Sequence, residues 1–455
     1  MKRHSLKFPL PLAILGGLAL MFSWPATAAV ARPNIVFILA DDLGYGDIGC
    51  YGNKDIRTPD LDKLATQGVR FSQFYSNGPE CTPTRTAFLT GRYQQRVGGM
   101  ECALGVGNVG RYDDAIRLRE KNEMGLPASE VTISRLLKDA GYATAIIGKW
   151  HLGYEPKFFP KEHGFDYWFG VIGGNADYFR HTEQDGLNAL YLNGQPVKRE
   201  GYMTDLITEE AVKYVERAKG NPFFLYVAYT APHAPIQGPN DRREQALTGS
   251  ERNQGDKRTY HTMIERMDDG IGRILHALEA NGRAQNSLVV FTSDNGGTKL
   301  ARNEPLRGTK GTTFEGGIRV PCLVRWPGVL PAGVTTDLVG ITMDLTASFA
   351  RVGGARLPEG RTFDGVDILS EVSGKGGPTR TLFWRGRRGE NTWKAVREGP
   401  LKYVMEIKGD QRQEYFFDVQ SDSAEKMNLL SARPDDLTRL KTLLADWEVA
   451  VRPRR

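Results

Sequence analysis

Four short apolar runs, none alternating with polar residues, punctuate the chain up to residue 292: Asn34 to Ala40, Tyr142 to Ile147, Pro222 to Tyr229 and Ser287 to Thr292. Unbroken runs of this length, rich in Val, Ile and Phe, predict strands buried on both faces, as in a parallel sheet covered by helices. Between them the apolar spacing changes to three and four. A short amphipathic helix is predicted from Asp60 to Gly68, and Glu130 to Ala140 carries Val131, Ile133, Leu136, Leu137 and Ala140 on one face. Thr204 to Ala218 repeats the pattern, as does Tyr260 to Glu279 with Met263, Met267, Ile271, Ile274, Leu275 and Leu278. Strands and helices in alternation predict an α/β fold, a large mostly parallel sheet sandwiched by helices.

The remaining stretches are less regular. Residues 98–127 mix glycines and charges without a period and predict a long loop placed to wall a pocket. Residues 154–203 are dense in aromatics and predict a packed irregular region. A glycine-rich loop, Arg307 to Pro321, lacks the spacing of a Walker phosphate loop and leads into a strand at Cys322 to Trp326. Gly353 to Pro378 is rich in Gly and Pro and predicts a connection. Beyond it, strand-like runs at 382–384, 392–397, 401–405 and 414–419 precede a helix over 437–449. The expected layout is a larger domain over 29–372 and a smaller α+β subdomain, an antiparallel sheet plus helix, over 373–455.

Residues 1–28 stand apart. Lys2, Arg3 and Lys7 precede an apolar stretch from Leu10 to Trp24, and Ala26-Thr27-Ala28 has the form of a cleavage site, so a signal peptide and a periplasmic or secreted address are expected. No later stretch is long and uncharged enough to predict a membrane span after cleavage. Losing the leader with its three cations takes the formal charge from +6 to about +3. That excess is too small to argue for nucleic acid. The four cysteines, Cys50, Cys81, Cys102 and Cys322, are too few and too scattered for a disulfide scaffold or a zinc site.

Candidate chemistry gathers where the four buried strands end. Asp41 and Asp42 follow the first, Lys149 and His151 the second, His233 the third between Pro232 and Pro235, and Asp294 with Asn295 the fourth. In an open parallel sheet those ends share one edge, where ligands bind. Three Asp and one Asn are hard oxygen donors that suit Ca²⁺ or Mg²⁺ better than zinc. Cys81-Thr82-Pro83-Thr84-Arg85 adds an anion site. Thr82 is a good N-cap and Pro83 suits the first helical position, so a helix is predicted to start there with Cys81 just outside its positive end. With Arg85, Lys149 and Lys310 facing the same centre, a metal ringed by cations would receive a multiply oxygenated anion.

The run Cys81-x-Pro83-x-Arg85, followed by Leu89-Thr90-Gly91-Arg92, resembles the signature of the type I, formylglycine-dependent, arylsulfatase-like sulfatases of the alkaline phosphatase superfamily. Thr82 stands where serine is commoner. The resemblance covers essentially the whole chain after the leader. It implies that a maturation enzyme oxidises Cys81 to formylglycine, whose hydrate is the nucleophile. It also implies that Asp41, Asp42, Asp294, Asn295 and the modified Cys81 bind Ca²⁺ in preference to Mg²⁺. Arg85 and Lys149 would hold the formylglycine, Asp294 would accept its proton, and Lys310 with His233 would contact the sulfate and assist the leaving alcohol. His151 would take the last proton, expelling sulfate and regenerating the aldehyde. The implied substrate is a sulfated small molecule or sulfated saccharide. The alternatives are a phosphate or phosphonate monoester hydrolase of the same superfamily and a catalytically silent sulfate-binding protein.

Overall fold

The computed structural model describes Met1 and residues 32–107, 109–242, 247, 251–252, 254–372 and 379–453. The predicted leader, apart from Met1, and the predicted domain boundary at 372/373 fall outside the described residues. The main sheet has ten strands: β1 (Asn34–Ala40), β2 (Val69–Tyr75), β3 (Ala143–Gly148), β4 (Tyr167–Val171), β5 (Leu190–Leu192), β6 (Gln195–Pro196), β7 (Phe223–Ala228), β8 (Ser287–Ser293), β9 (Arg319–Arg325) and β10 (Val334–Ile341). Their spatial order is β10-β2-β9-β8-β1-β7-β3-β4-β5-β6. The four strands read from unbroken apolar runs lie side by side, and β8, β1, β7 and β3 pair parallel. Antiparallel pairs bring in β9 on one side and β5 and β6 on the other.

Strand periodicity explains the layers. Successive side chains of β1 point to opposite faces, so Ile35, Phe37 and Leu39 enter one apolar core while Val36, Ile38 and Ala40 enter another. The first core takes Phe88 and Leu89 from helix Cys81–Thr90, Ile133 and Leu137 from Ile133–Asp139, and Leu345 and Phe349 from Thr342–Gly353. The second takes the apolar faces of Pro59–Thr66, Met203–Arg217 and Lys257–Ala280.

A second, four-stranded antiparallel sheet runs β11 (Thr381–Arg388), β12 (Asn391–Glu398), β13 (Leu401–Lys408), β14 (Gln411–Asp418) in sequence order. Each hairpin turn opens on a glycine with left-handed φ, 55° at Gly389 and 57° at Gly399 and Gly409, as tight two-residue turns require. Helix Pro434–Ala450 packs on this sheet through Leu440, Leu444 and Trp447. The same apolar cluster includes Tyr75, Ala87, Phe314, Ile318 and Met343, so the small sheet is mortared to the segments beside the large one.

Several elements differ from expectation. Strands β2 and β10 and helix Thr342–Gly353 carry no clear sequence signal, because β2 alternates buried with half-exposed positions and β10 is largely solvent-facing. Within the predicted loop 98–127 lies a helix, Asp113–Glu120, which buries only Ala115 and Leu118. Two apolar contacts in eight residues are too sparse to show a period.

Candidate active site

The C-terminal ends of β1, β3, β7 and β8 deliver their polar residues to one buried edge. The crossings between strands are pinned by main-chain bonds: the Asp41 amide donates to Ala231 O at 3.0 Å, and the Asp294 amide to Ala40 O at 3.1 Å. Asp42 and His151 both sit in the left-handed region, with φ of 66° and 59°. Such conformations are costly for residues with a Cβ and gather where geometry matters more than local stability. Gly148 makes the turn after β3 possible, since a Cβ there would stand 1.9 Å from Ala228 O.

Helix Cys81–Thr90 begins two residues earlier than predicted, with Glu80 in place of Thr82 at the N-cap position. Thr82 is inside it and is not its cap. Its hydroxyl donates to His151 O at 3.0 Å and accepts from the Leu104 amide at 3.2 Å, joining the helix start to the β3 exit and to the 98–127 loop. Those tertiary partners outcompete local capping.

Cys81 is fully buried at the centre. Its Sγ lies 3.2 Å from Asp41 Oδ1, 4.0 Å from Asp42 Oδ1, 3.5 Å from Lys149 Nζ and 3.4 Å from Lys310 Nζ. Lys149 also pairs with Asp41 Oδ2, and Lys310 with Asp42 at 2.6 Å. Arg85 reaches Asp294 Oδ2 through Nη2 at 2.8 Å and Nε at 3.1 Å, and donates Nη1 to Lys149 O at 3.0 Å. Its fork therefore grips Asp294 and the β3 exit. Asn295 Nδ2 donates to Asp42 Oδ1 at 2.8 Å, while Asn295 Oδ1 is buried with no partner.

The histidines differ in which nitrogen is occupied. His233 Nδ1 is 2.6 Å from Ala234 O, which leaves Nε2 facing Asp42 Oδ2 at 3.6 Å. His151 Nε2 is 2.9 Å from Leu104 O, and its buried Nδ1 has no partner. Among the charged side chains of this centre only Lys310 and His233 reach solvent appreciably, at 18% and 14% exposure. Substrate must approach from their side.

Three carboxylates in one dry place strain the electrostatics. Burial alone would raise all of them, but Lys149 and its neighbouring cations hold Asp41 well below the usual carboxylate range, and Lys310 with His233 holds Asp42 down. Asp294 goes the other way, to about 7, because burial and the charge of Asp41 outweigh Arg85. Burial, then Asp294 and Asp41, push the Cys81 thiol up, so Cys81 is ill placed to act as a thiolate. Burial and the nearby lysines push His233 down to about 4 and keep His151 well below its ordinary value.

All ten predicted site residues lie at this edge, and His151 is the one whose ring bonds outward, to the 98–127 loop. Ligand atoms of Asp41, Asp42, Cys81 and His233 all fall within 4.8 Å of one another, an arrangement that could hold a cation. The aromatics of 154–203 mostly pack together, Trp168 against Phe159 and Tyr191 for example. All four cysteines are free. Sequence reasoning missed Glu80, which accepts from the Ala103 amide at 2.6 Å and from Arg388 at 2.8 Å, and with it the approach of β11 to the Cys81 helix start. An isolated glutamate before the motif and an Arg-Arg pair at a hairpin tip carry no signal of adjacency. Among the described residues no helix is long and apolar enough to cross a membrane.

Residues 33–355 match the family model described as Sulfatase. N-acetylgalactosamine-6-sulfatase of Mus musculus is 35% identical over 414 residues, covering 86% of this chain and 74% of that one. Steryl-sulfatase of Homo sapiens is 31% identical over 442 residues, covering 79% and 73%. Among solved structures, Ps i-CgsB in complex with k-i-k-neocarrahexaose superposes with a TM-score of 0.79 at 34% identity, covering 91% of this chain and 92% of that one. The family model matches well over half of the chain, and the relatives match it along most of both lengths, so the chain belongs to the sulfatase family, the sulfuric ester hydrolases.

Proposed function

We propose that this sulfatase hydrolyses a sulfate ester on a saccharide, with residue 81 converted to formylglycine by a maturation enzyme and Ca²⁺ held by Asp41, Asp42, Asp294 and Asn295. The observation that carries this reading is the position of Cys81, whose side chain meets two carboxylates and two ammonium groups contributed by three other segments of the chain. The donor set fits a hard cation: three buried carboxylates, and an amide oxygen, Asn295 Oδ1, that lacks any partner. When bound, Ca²⁺ would neutralise these carboxylates and polarise an oxygen nucleophile at residue 81.

The chain's own side chains then divide the work. Arg85 fixes Asp294, and Lys149 fixes Asp41 beside residue 81. Lys310 and His233 stand on the open side, where the sulfate oxygens and the leaving alcohol arrive, and His233 offers Nε2 because Nδ1 is committed to Ala234 O. His151, on the closed side, has Nδ1 available to take a proton from the residue 81 side. Support for a saccharide comes from the N-acetylgalactosamine-6-sulfatase relative and from the oligosaccharide bound in the solved structure. The named relatives are sulfatases, so nothing favours the phosphate ester alternative.

Peptide mass spectrometry of purified protein, run beside assays for sulfate release from N-acetylgalactosamine 6-sulfate and a sulfated carrageenan oligosaccharide, tests the reading. Residue 81 should appear at the mass of formylglycine. Active protein with residue 81 only as cysteine would refute the proposed nucleophile.

A further inference from the structure

Beside the nucleophile, on the open side of Lys310, lies a recess of about 390 Å³, within the range of sites for small ligands. Lys310 and Glu80 line it, and β11 and β12 contribute Arg387, Arg388 and Trp393. Those strands are fixed with respect to residue 81. Gly386 packs so closely on Pro79 that a Cβ would stand 3.1 Å from Pro79 Cγ, and Thr313 Oγ1 donates to Lys394 O at 3.3 Å. The Gly311 amide donates to Pro79 O at 2.8 Å, tying the Lys310 loop to the same point.

The recess is lined by four cations, Lys299, Lys310, Arg387 and Arg388, and one carboxylate, Glu80. Two of the cations are committed elsewhere. Lys310 pairs with Asp42, and Arg387 pairs with Glu101 and Asp113 while lying 4.3 Å over the Tyr112 ring. Arg388 is different: Nη2 donates to Glu80, but the side chain stays 45% exposed. Lys299 is exposed and pairs with no described carboxylate. Trp393 is half-buried and braced edge-on against Phe314 at 5.3 Å. A braced indole beside Lys299, and beside an arginine that keeps much of its side chain exposed while pairing with Glu80, offers an apolar face and anion-binding donors together, which is the chemistry of an acidic sugar.

We propose that this recess is a second carbohydrate subsite, in which Trp393 supports the sugar adjoining the one that loses its sulfate, and Lys299 with Arg388 receives a further anionic group, sulfate or carboxylate, on that sugar. The proposal rests on the sulfatase reading of the neighbouring centre and deepens it, making the preferred substrate an oligosaccharide with at least two charged groups.

Calorimetric binding to Cys81→Ala protein tests the recess without requiring turnover. The probes are tetrasaccharides of one galactan backbone bearing one sulfate, sulfates on two adjoining sugars, or one sulfate next to a uronate. At least one doubly charged probe should bind tenfold or more tighter than the singly charged one, and the better of the two identifies the anion. Lys299→Glu or Arg388→Ala in the same background should cut that advantage to twofold or less, whereas Trp393→Ala should weaken all three probes. Equal affinities for the three probes, or an advantage that survives both charge variants, would overturn the subsite. Lys299 is at the surface, so Lys299→Glu reads out even if Arg388→Ala disturbs Glu80. Sulfate release by protein with Cys81 intact is scored separately, so failure of the sulfatase reading is seen apart from failure of the recess.

Discussion

The two histidines at residues 151 and 233 present opposite nitrogens to opposite sides of the centre, and their substitutions should differ in kind. His233 Nε2 is on the open side, where the alcohol would depart under the proposed function. His233→Ala should therefore depress kcat/KM for sulfated sugars, which leave as poor alkoxides, by about 10²–10⁴-fold, and should affect 4-nitrophenyl sulfate much less. His151 is tied to Leu104 O on the closed side, away from any leaving group. His151→Ala should slow good and poor leaving groups alike. Rates across aryl sulfates of graded phenol pKa check this, and a steeper leaving-group dependence for His151→Ala than for His233→Ala would reverse the roles. The identities of these residues were legible because each follows an apolar strand. Which nitrogen each one offers was not, since Leu104 O and Ala234 O are accepted partners that only the folded backbone supplies.

At the level of elements, the Lys310 loop depends on the small sheet. Glu315, five residues on, is fully buried between Lys402 at 2.7 Å, Arg319 at 3.3 Å and the Tyr75 hydroxyl at 2.6 Å. Lys402 also pairs with Glu425 at 3.0 Å, and Glu425 accepts the Glu315 amide at 2.7 Å. One ammonium thus serves two carboxylates. Burial opposes ionisation of both, yet Lys402 and two arginines hold Glu315 down to about 2, while Glu425, short of cations and facing Glu315, rises to about 7. Lys402→Met strands buried charge and should cost about 3–5 kcal/mol. The double variant Lys402→Met/Glu425→Gln should recover part of that loss by removing one of the stranded carboxylates. Denaturant unfolding checks both, and a Lys402→Met midpoint equal to the parent's would show that the network does not hold the loop. Sequence periodicity revealed β11 to β14 well, since each hairpin breaks at a glycine. It gave no sign of Lys402 meeting Glu315, because a contact between distant segments leaves no period in either. The same blindness hid β2 and β10, whose half-polar faces resemble loops.

Across the whole molecule, β1 and β8, hydrogen-bonded neighbours in the sheet though far apart in the chain, bring Asp41, Asp42, Asp294 and Asn295 together, so a bound cation would clamp the ends of two strands that a long stretch of chain separates. Removing calcium with a chelator should lower Tm by several degrees, since a ligand at 1,000 times its Kd stabilises by about 4 kcal/mol, and added Ca²⁺ should restore it. Asp294→Asn should reduce both the metal content of the purified protein and the calcium-dependent part of Tm. Metal-free protein with an unchanged Tm and full activity would exclude the site. The convergence itself was readable from the sequence as strand ends sharing an edge; the reach of the small sheet to the mouth of the site was not, because nothing local marks Gly386 as lying against Pro79. The burial of Cys81 has a consequence in time. In the finished fold no second protein can touch that side chain, which lies beneath Lys149 and Lys310. Lys310 follows it by 229 residues, and at about 5–20 residues per second a ribosome reaches the lysine roughly 10–45 s after the cysteine. An enzyme that must alter residue 81 works within that interval, or on a chain otherwise kept from closing.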